Sequence, residues 1–166
     1  MRRSVPVGLT VGLVAMFLVI GPALAQDPRT GGVTANEVST WFNRGGFKAE
    51  VEPDTTTPGD QMVATTTDGV SVDIFLYQCA GEGDERRCQS IQYVTGWAPQ
   101  PTFTLQKVNA WNASNRYIKA YLTADGSLYG EYDVDVSPGD SYETLNHSLA
   151  DWRAILASFK TFFGRS

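Results

Sequence analysis

The stretch KVNAWNASNRYIKAYLTADGSLYGEYDVDV, Lys107 to Val136, decides the architecture. It opens as a short helix-like run containing Asn109, Trp111 and Asn112, and the polar cluster from Asn112 to Asn115 supplies the exit a helix needs. From Tyr117 the residues alternate. Ile118, Ala120 and Leu122 fall on one side and Tyr117, Lys119 and Tyr121 on the other, the period of a half-buried strand. Past an Asp125-Gly126 turn, Tyr132, Val134 and Val136 alternate with Glu131, Asp133 and Asp135. If Ile118 is to face as Val134 does, the hairpin closes through a three-residue loop of Asp125, Gly126 and Ser127, because a two-residue loop would set Ile118 against Asp133.

Upstream residues extend the sheet. Met62 to Thr67 and Val70 to Tyr77 form a hairpin across Asp68-Gly69, a dipeptide suited to a type I′ turn, which pairs Val63 with Ile74 and Thr65 with Val72. Cys79 set opposite Cys88 pairs Leu76 with Ile91, Ile74 with Tyr93 and Val72 with Thr95, the same core face reached from the hairpin. A structural disulfide there is expected on the outer face, closing the polar loop Ala80 to Arg87 and adding about 2 to 3 kcal/mol by chain entropy. The same register turns Phe75 and Tyr77 outward beside Val94. Such a patch either marks a partner surface or is covered by the N-terminal segment or a loop.

Helices complete the layout. Thr34 and Glu37 form a capping box for a helix to about Arg44, with Val38, Trp41 and Phe42 on its buried face and Gly45-Gly46 as the stop. A strand from Phe47 to Glu52 and an exposed loop from Pro53 to Asp60 follow. A second helix is expected over about Thr104 to Asn112. The last begins after Pro138-Gly139, capped by Asp140 or Ser141, with Tyr142, Leu145, Leu149, Trp152, Leu156, Phe159 and Phe163 in one seam that Ile155 and Phe162 widen. That seam is core, or in part a homodimer interface. The fold class is α+β: an antiparallel sheet of about six strands packed on one face by about three helices, in the order α-β-β-β-β-α-β-β-α.

The ends bound the compartment. Arg2 and Arg3 precede an apolar run from Val7 to Ile20, a Gly21-Pro22 break and Ala23-Leu24-Ala25, the pattern of a secretory signal peptide over residues 1–25. The run is too short for a permanent membrane span, so no membrane insertion is expected after cleavage. Residues 26–33 read as a flexible N-terminus and 34–164 as a single domain, and the location expected is periplasmic or secreted. Without Arg2 and Arg3, 11 basic side chains face 18 acidic ones, a formal charge near −7 that argues against nucleic acid. Cys79 and Cys88 suit an oxidising compartment, with a labile redox pair as the alternative to a structural bond.

Chemistry is harder to find. Glu131, Asp133 and Asp135 line a pleated face opposite Lys119, whereas acid–base work or calcium binding needs convergent groups in a concavity. His147 with Asp151 is an i, i+4 pair without further ligands, and as the single histidine it leaves no second candidate for a catalytic triad. No Gly-rich phosphate loop or nucleophile elbow appears, so no catalytic residue, metal or cofactor is expected. Asn112-Ala113-Ser114 and Asn146-His147-Ser148 match the glycosylation sequon.

Val108-Asn109-Ala110-Trp111-Asn112, Arg116-Tyr117-Ile118-Lys119-Ala120, Asp125-Gly126 and Asp133-Val134-Asp135-Val136, followed by a closing helix with Trp152, resemble the YbjN-domain family over about Val33 to Phe163. The resemblance implies a bacterial sensory-transduction regulator with a fold similar to type III secretion chaperones, often dimeric and without established catalytic residues. The export signal and the cysteine pair depart from cytoplasmic members. The expectation is therefore a non-enzymatic binding or regulatory module of the cell envelope, holding a protein or peptide on a sheet face at Phe75, Tyr77 and Val94. A second candidate cluster is Asn109, Asn112 and Arg116 around Trp111, itself suited to the core. The alternatives are a small secreted hydrolase using Asp125, Glu131, Asp133 and Asp135, or a disulfide-stabilised structural protein.

Overall fold

The computed structural model describes residues 32–136 and 141–165. The expected signal peptide, the expected N-terminal segment before Gly32, the Pro138-Gly139 break and the expected cap Asp140 lie outside the described residues, and Ser141 is the first residue of the last helix. Nine principal elements follow the expected order: α1 (Ala35–Arg44), β1 (Ala49–Pro53), β2 (Gln61–Thr67), β3 (Val70–Ala80), β4 (Arg87–Trp97), α2 (Leu105–Ser114), β5 (Lys119–Leu122), β6 (Leu128–Asp135) and α3 (Ser141–Phe163). The six strands form one antiparallel sheet in the order β1-β2-β3-β4-β6-β5.

Local chemistry accounts for the boundaries. The Thr34 hydroxyl accepts from the Glu37 N–H while the Glu37 carboxylate accepts from the Thr34 N–H, the reciprocal bonds of a capping box. Asp68 and Gly69 have φ of 49° and 77°, as a type I′ turn requires, and Val63 pairs with Ile74 and Thr65 with Val72. Arg153 of α3 donates to both Asp68 carboxylate oxygens, at 2.7 and 2.9 Å, and holds that carboxyl below its usual range. The tip of the hairpin is thereby tied to the last helix.

The β5–β6 hairpin differs from expectation by one loop position. Thr123 donates to the Ser127 carbonyl at 3.0 Å, so the three-residue loop is Ala124, Asp125 and Gly126 rather than Asp125 to Ser127. Gly126, with φ of 86°, occupies the last loop position, where a three-residue loop needs a left-handed residue. Lys119 therefore pairs with Glu131 and Leu122 with Leu128. This shifts the pairing by two residues and leaves the faces unchanged. Tyr117 also departs: its φ of 70° and the bond from the Ile118 N–H to the Arg116 carbonyl form a γ-turn, so the strand starts at Lys119. The Tyr117 ring instead meets Tyr132 edge-on at 5.6 Å.

The disulfide joins Cys79 and Cys88 in the expected register but not on the outer face. Cys88 is 3% exposed and belongs to the core cluster with Val33, Ala35 and Leu76. Gln78, with φ of 55°, interrupts the alternation of β3 just before Cys79. Val33 exchanges two backbone bonds with Cys88, at 2.9 and 2.7 Å, which tie the residue before the capping box to β4.

All three helices lie on one sheet face. In the core, the fully buried Tyr93 ring stacks between Trp152 and Tyr132, at 5.4 and 5.9 Å, and its hydroxyl meets Ser148 of α3 at 2.9 Å. Burial pushes the Tyr93 phenol up. Leu145, Ser148, Trp152, Leu156, Phe159 and Phe163 form the buried line of α3, while Tyr142, Leu149 and Ile155 pack at its margin and Phe162 is 38% exposed.

The two edge strands are held by a shared device. Asn43 of α1 donates to the Ala49 carbonyl at 2.8 Å and accepts from the Ala49 N–H at 3.2 Å. Asn112 of α2 does the same to Ala120 of β5, at 3.0 and 2.9 Å, and Trp111 donates to the Ile118 carbonyl at 2.8 Å. Each amide occupies the backbone groups that an edge would offer to another chain. Asn112→Ala should lose about 1 to 3 kcal/mol in urea unfolding, because both groups of the Ala120 peptide lose their partner, and Asn43→Ala should lose about 1 kcal/mol, because the Ala49 carbonyl keeps its bond from Ser39 while its N–H does not. Asn109→Ala, on the exposed side of α2, should change stability by under about 0.5 kcal/mol.

Candidate partner-binding face

The sheet face away from the helices can be read row by row from the strand register. One row runs Glu50, Ala64, Asp73, Val94, Glu131, Lys119; the next runs Glu52, Met62, Phe75, Gln92, Asp133. The β2 to β4 centre is thus largely apolar, and carboxylates stand on both flanks. Tyr77 is 43% exposed and Phe75 is half-buried, as a contact surface requires. Val94, at 8% exposed, lies low between its neighbours and offers little accessible area.

Polar side chains on this face are linked. The Tyr77 hydroxyl donates to Gln92 at 3.3 Å, and the Gln92 amide donates to Asp133 at 2.7 Å. Lys119 pairs with Glu131, and that bond raises the ammonium pKa against the opposing effect of desolvation. Tyr121 stacks on Tyr129 at 5.5 Å, and burial, reinforced by Glu131, pushes its phenol up. Asp73 stands apart. Among the described residues it has no hydrogen-bond or ion-pair partner, and burial, with Glu52 adding to it, raises its carboxyl above the ordinary 3.8.

The second cluster does not form a comparable surface. Asn112 is engaged by Ala120, Trp111 is buried, Arg116 lies over the Tyr117 ring at 5.4 Å, and Asn109 faces solvent. Both sequons carry internal bonds, since Asn112 holds β5, Asn146 accepts from Trp41 at 3.1 Å, and Ser148 is buried. The acids weighed for hydrolysis have separate occupations: Asp125 accepts from Thr123 and Ser127 within its own turn, while Glu131 and Asp133 bond Lys119 and Gln92. Exposed His147 lies 3.7 Å from Glu143, one turn before it on α3.

A cavity of about 330 Å³ at the disulfide was not anticipated from the sequence. Ala35, Leu76, Cys79 and Cys88 contribute to its lining, and Arg86 pairs with Asp60 at its rim. The signal for it was topological: the loop before β2 and the loop after β3 must meet at the same sheet end.

Among the described residues the geometry defines a two-layer α+β protein with one sheet face free of helices. A model of the YbjN family, described as "Putative bacterial sensory transduction regulator", matches residues 34–165, and the chain belongs to that family. No characterised protein and no solved structure matches. The family is one of regulators rather than a known enzyme family.

Asp73 yields a stability test. Its folded state holds the proton more tightly than the unfolded chain, so stability falls as pH rises from about 3.8 through the raised folded value. Asp73→Asn should unfold at higher urea than the parent at pH 7. The gain should vanish below about pH 3, where the carboxyl is neutral in both states.

Proposed function

We propose that the chain is an exported, non-enzymatic binding and regulatory module of the bacterial cell envelope that holds a protein or peptide partner on its outer sheet face. The observation carrying this reading is the asymmetry of the sheet: helices fill one face, while Phe75 and Tyr77 stand on the other. Strand addition at the edges is disfavoured by the amides of Asn43 and Asn112 and by Pro53, which has no N–H. Export is supported by the apolar run and the Ala23-Leu24-Ala25 pattern. Phe75 and Tyr77 supply rigid contact area of the kind that anchors protein interfaces.

A benzophenone cross-linker at Tyr77, expressed from the full chain in bacteria, should give a discrete protein adduct in the periplasmic or secreted fraction. The same group at exposed Ala154 on α3 should give none, and Phe75→Ser should weaken the Tyr77 adduct. Equal adducts from both positions, or a chain retained uncleaved in the cytoplasm, would contradict the reading.

A further inference from the structure

Asp73 is placed where a carboxylate is costly, and the side chains around it are short. Ala64 and Val94 flank it across β2 and β4, and Ser71 lies two residues before it. Ser71, Asp73, Val94, Gly96 and Tyr129 contribute to a depression of about 260 Å³. The depth there depends on Gly96: a Cβ at that position would come within 2.8 Å of the Tyr129 ring, so the glycine lets the ring lie down across β4. The result is a carboxylate facing an aromatic ring across a floor of small residues.

That combination suits a cation. A carboxylate supplies charge-assisted hydrogen bonds, and an aromatic face adds cation–π attraction. The wider field has the same sign. Glu50 and Glu131 share the Asp73 row two strands away on either side, about 10 Å at ordinary strand spacing, and Glu52 lies in the next row. Lys48 answers Glu50 and Lys119 answers Glu131, so among the described residues the carboxylates of these two rows left without a cation beside them include Asp73 and Glu52. An anionic or purely apolar partner would leave Asp73, with Glu52 beside it, desolvated without compensation. A segment with lysine or arginine between apolar residues satisfies them while covering Phe75.

We propose that the depression between Asp73 and Tyr129 seats a lysine or arginine side chain of the partner polypeptide, which makes the outer face selective for a cationic segment interleaved with apolar residues. This rests on the outer face being the partner surface. The cavity at the disulfide offers no comparable seat, since Arg86 and Asp60 already neutralise each other there.

The test uses the oxidised mature chain and a fluorescein-labelled peptide of alternating arginine and leucine, followed by fluorescence anisotropy at low salt. A citrulline-for-arginine peptide keeps shape and hydrogen bonding while removing charge. The arginine peptide should bind at least about tenfold more tightly than the citrulline one, and Asp73→Asn should remove most of that difference. Because Asp73→Asn is expected to stabilise the fold, tighter folding with weaker binding separates a binding role from a structural one. Tyr77→Ser checks the underlying face. If Tyr77→Ser weakens binding but Asp73→Asn and citrulline do not, the cationic seat is wrong and the surface stands. If the peptide fails to bind, or neither variant affects its binding, the cationic-segment proposal is overturned; the cross-linking at Tyr77 then decides separately whether the face is a partner surface.

Discussion

The structure depends on how its two sheet edges are satisfied. A strand at a sheet edge presents unpaired peptide groups, and leaving them open invites association with other chains. Here one asparagine from the helix preceding each edge strand meets both the N–H and the carbonyl of an alanine, Asn43 at Ala49 and Asn112 at Ala120. These bonds set α1 and α2 over opposite ends of the same face. The space between is filled by α3, through Trp152 on Tyr93 and Phe159 against Trp97 and Trp111. Edge closure and core formation are therefore achieved by the same helices, and the other face is left free of them.

The free face has a composition unlike a merely solvated one. It combines Phe75, Tyr77, Tyr121 and Tyr129 with flanking carboxylates, and it sets Asp73 where burial and Glu52 both oppose its ionisation. Side chains that cost stability without structural compensation are where selection for binding is to be sought, which links the energetics of this position to the proposed function. Membership of a regulator family is consistent with a surface that recognises rather than transforms.

Much of the fold was legible because local chemistry and strand parity agreed. Asp68-Gly69 fixed one register, the cysteine pair fixed the next, and both assigned Ile74 and Leu76 to the core. Parity failed where a single residue left the extended region: Gln78 turned the disulfide toward the core, and Tyr117 left its expected row. The Thr123 to Ser127 loop slipped by one position because the glycine requirement was recognised without its place in the loop. Of the candidate site, Phe75 and Tyr77 followed from alternation alone. The work of Asn112 was hidden because a side chain pairing with a peptide eight residues away leaves no periodic mark, and the seat at Asp73 depends on side chains contributed by separate strands.

The central claim is that the outer face stays open in the complete mature chain. Hydroxyl-radical footprinting of the oxidised mature protein, resolved by residue, tests it most directly. The account predicts that Tyr77 reacts readily and Phe75 measurably, while Tyr93 and Trp152 remain protected. Protection of Tyr77 and Phe75 equal to that of Tyr93 in the free monomer would show the face already covered by the chain itself, and would contradict the account.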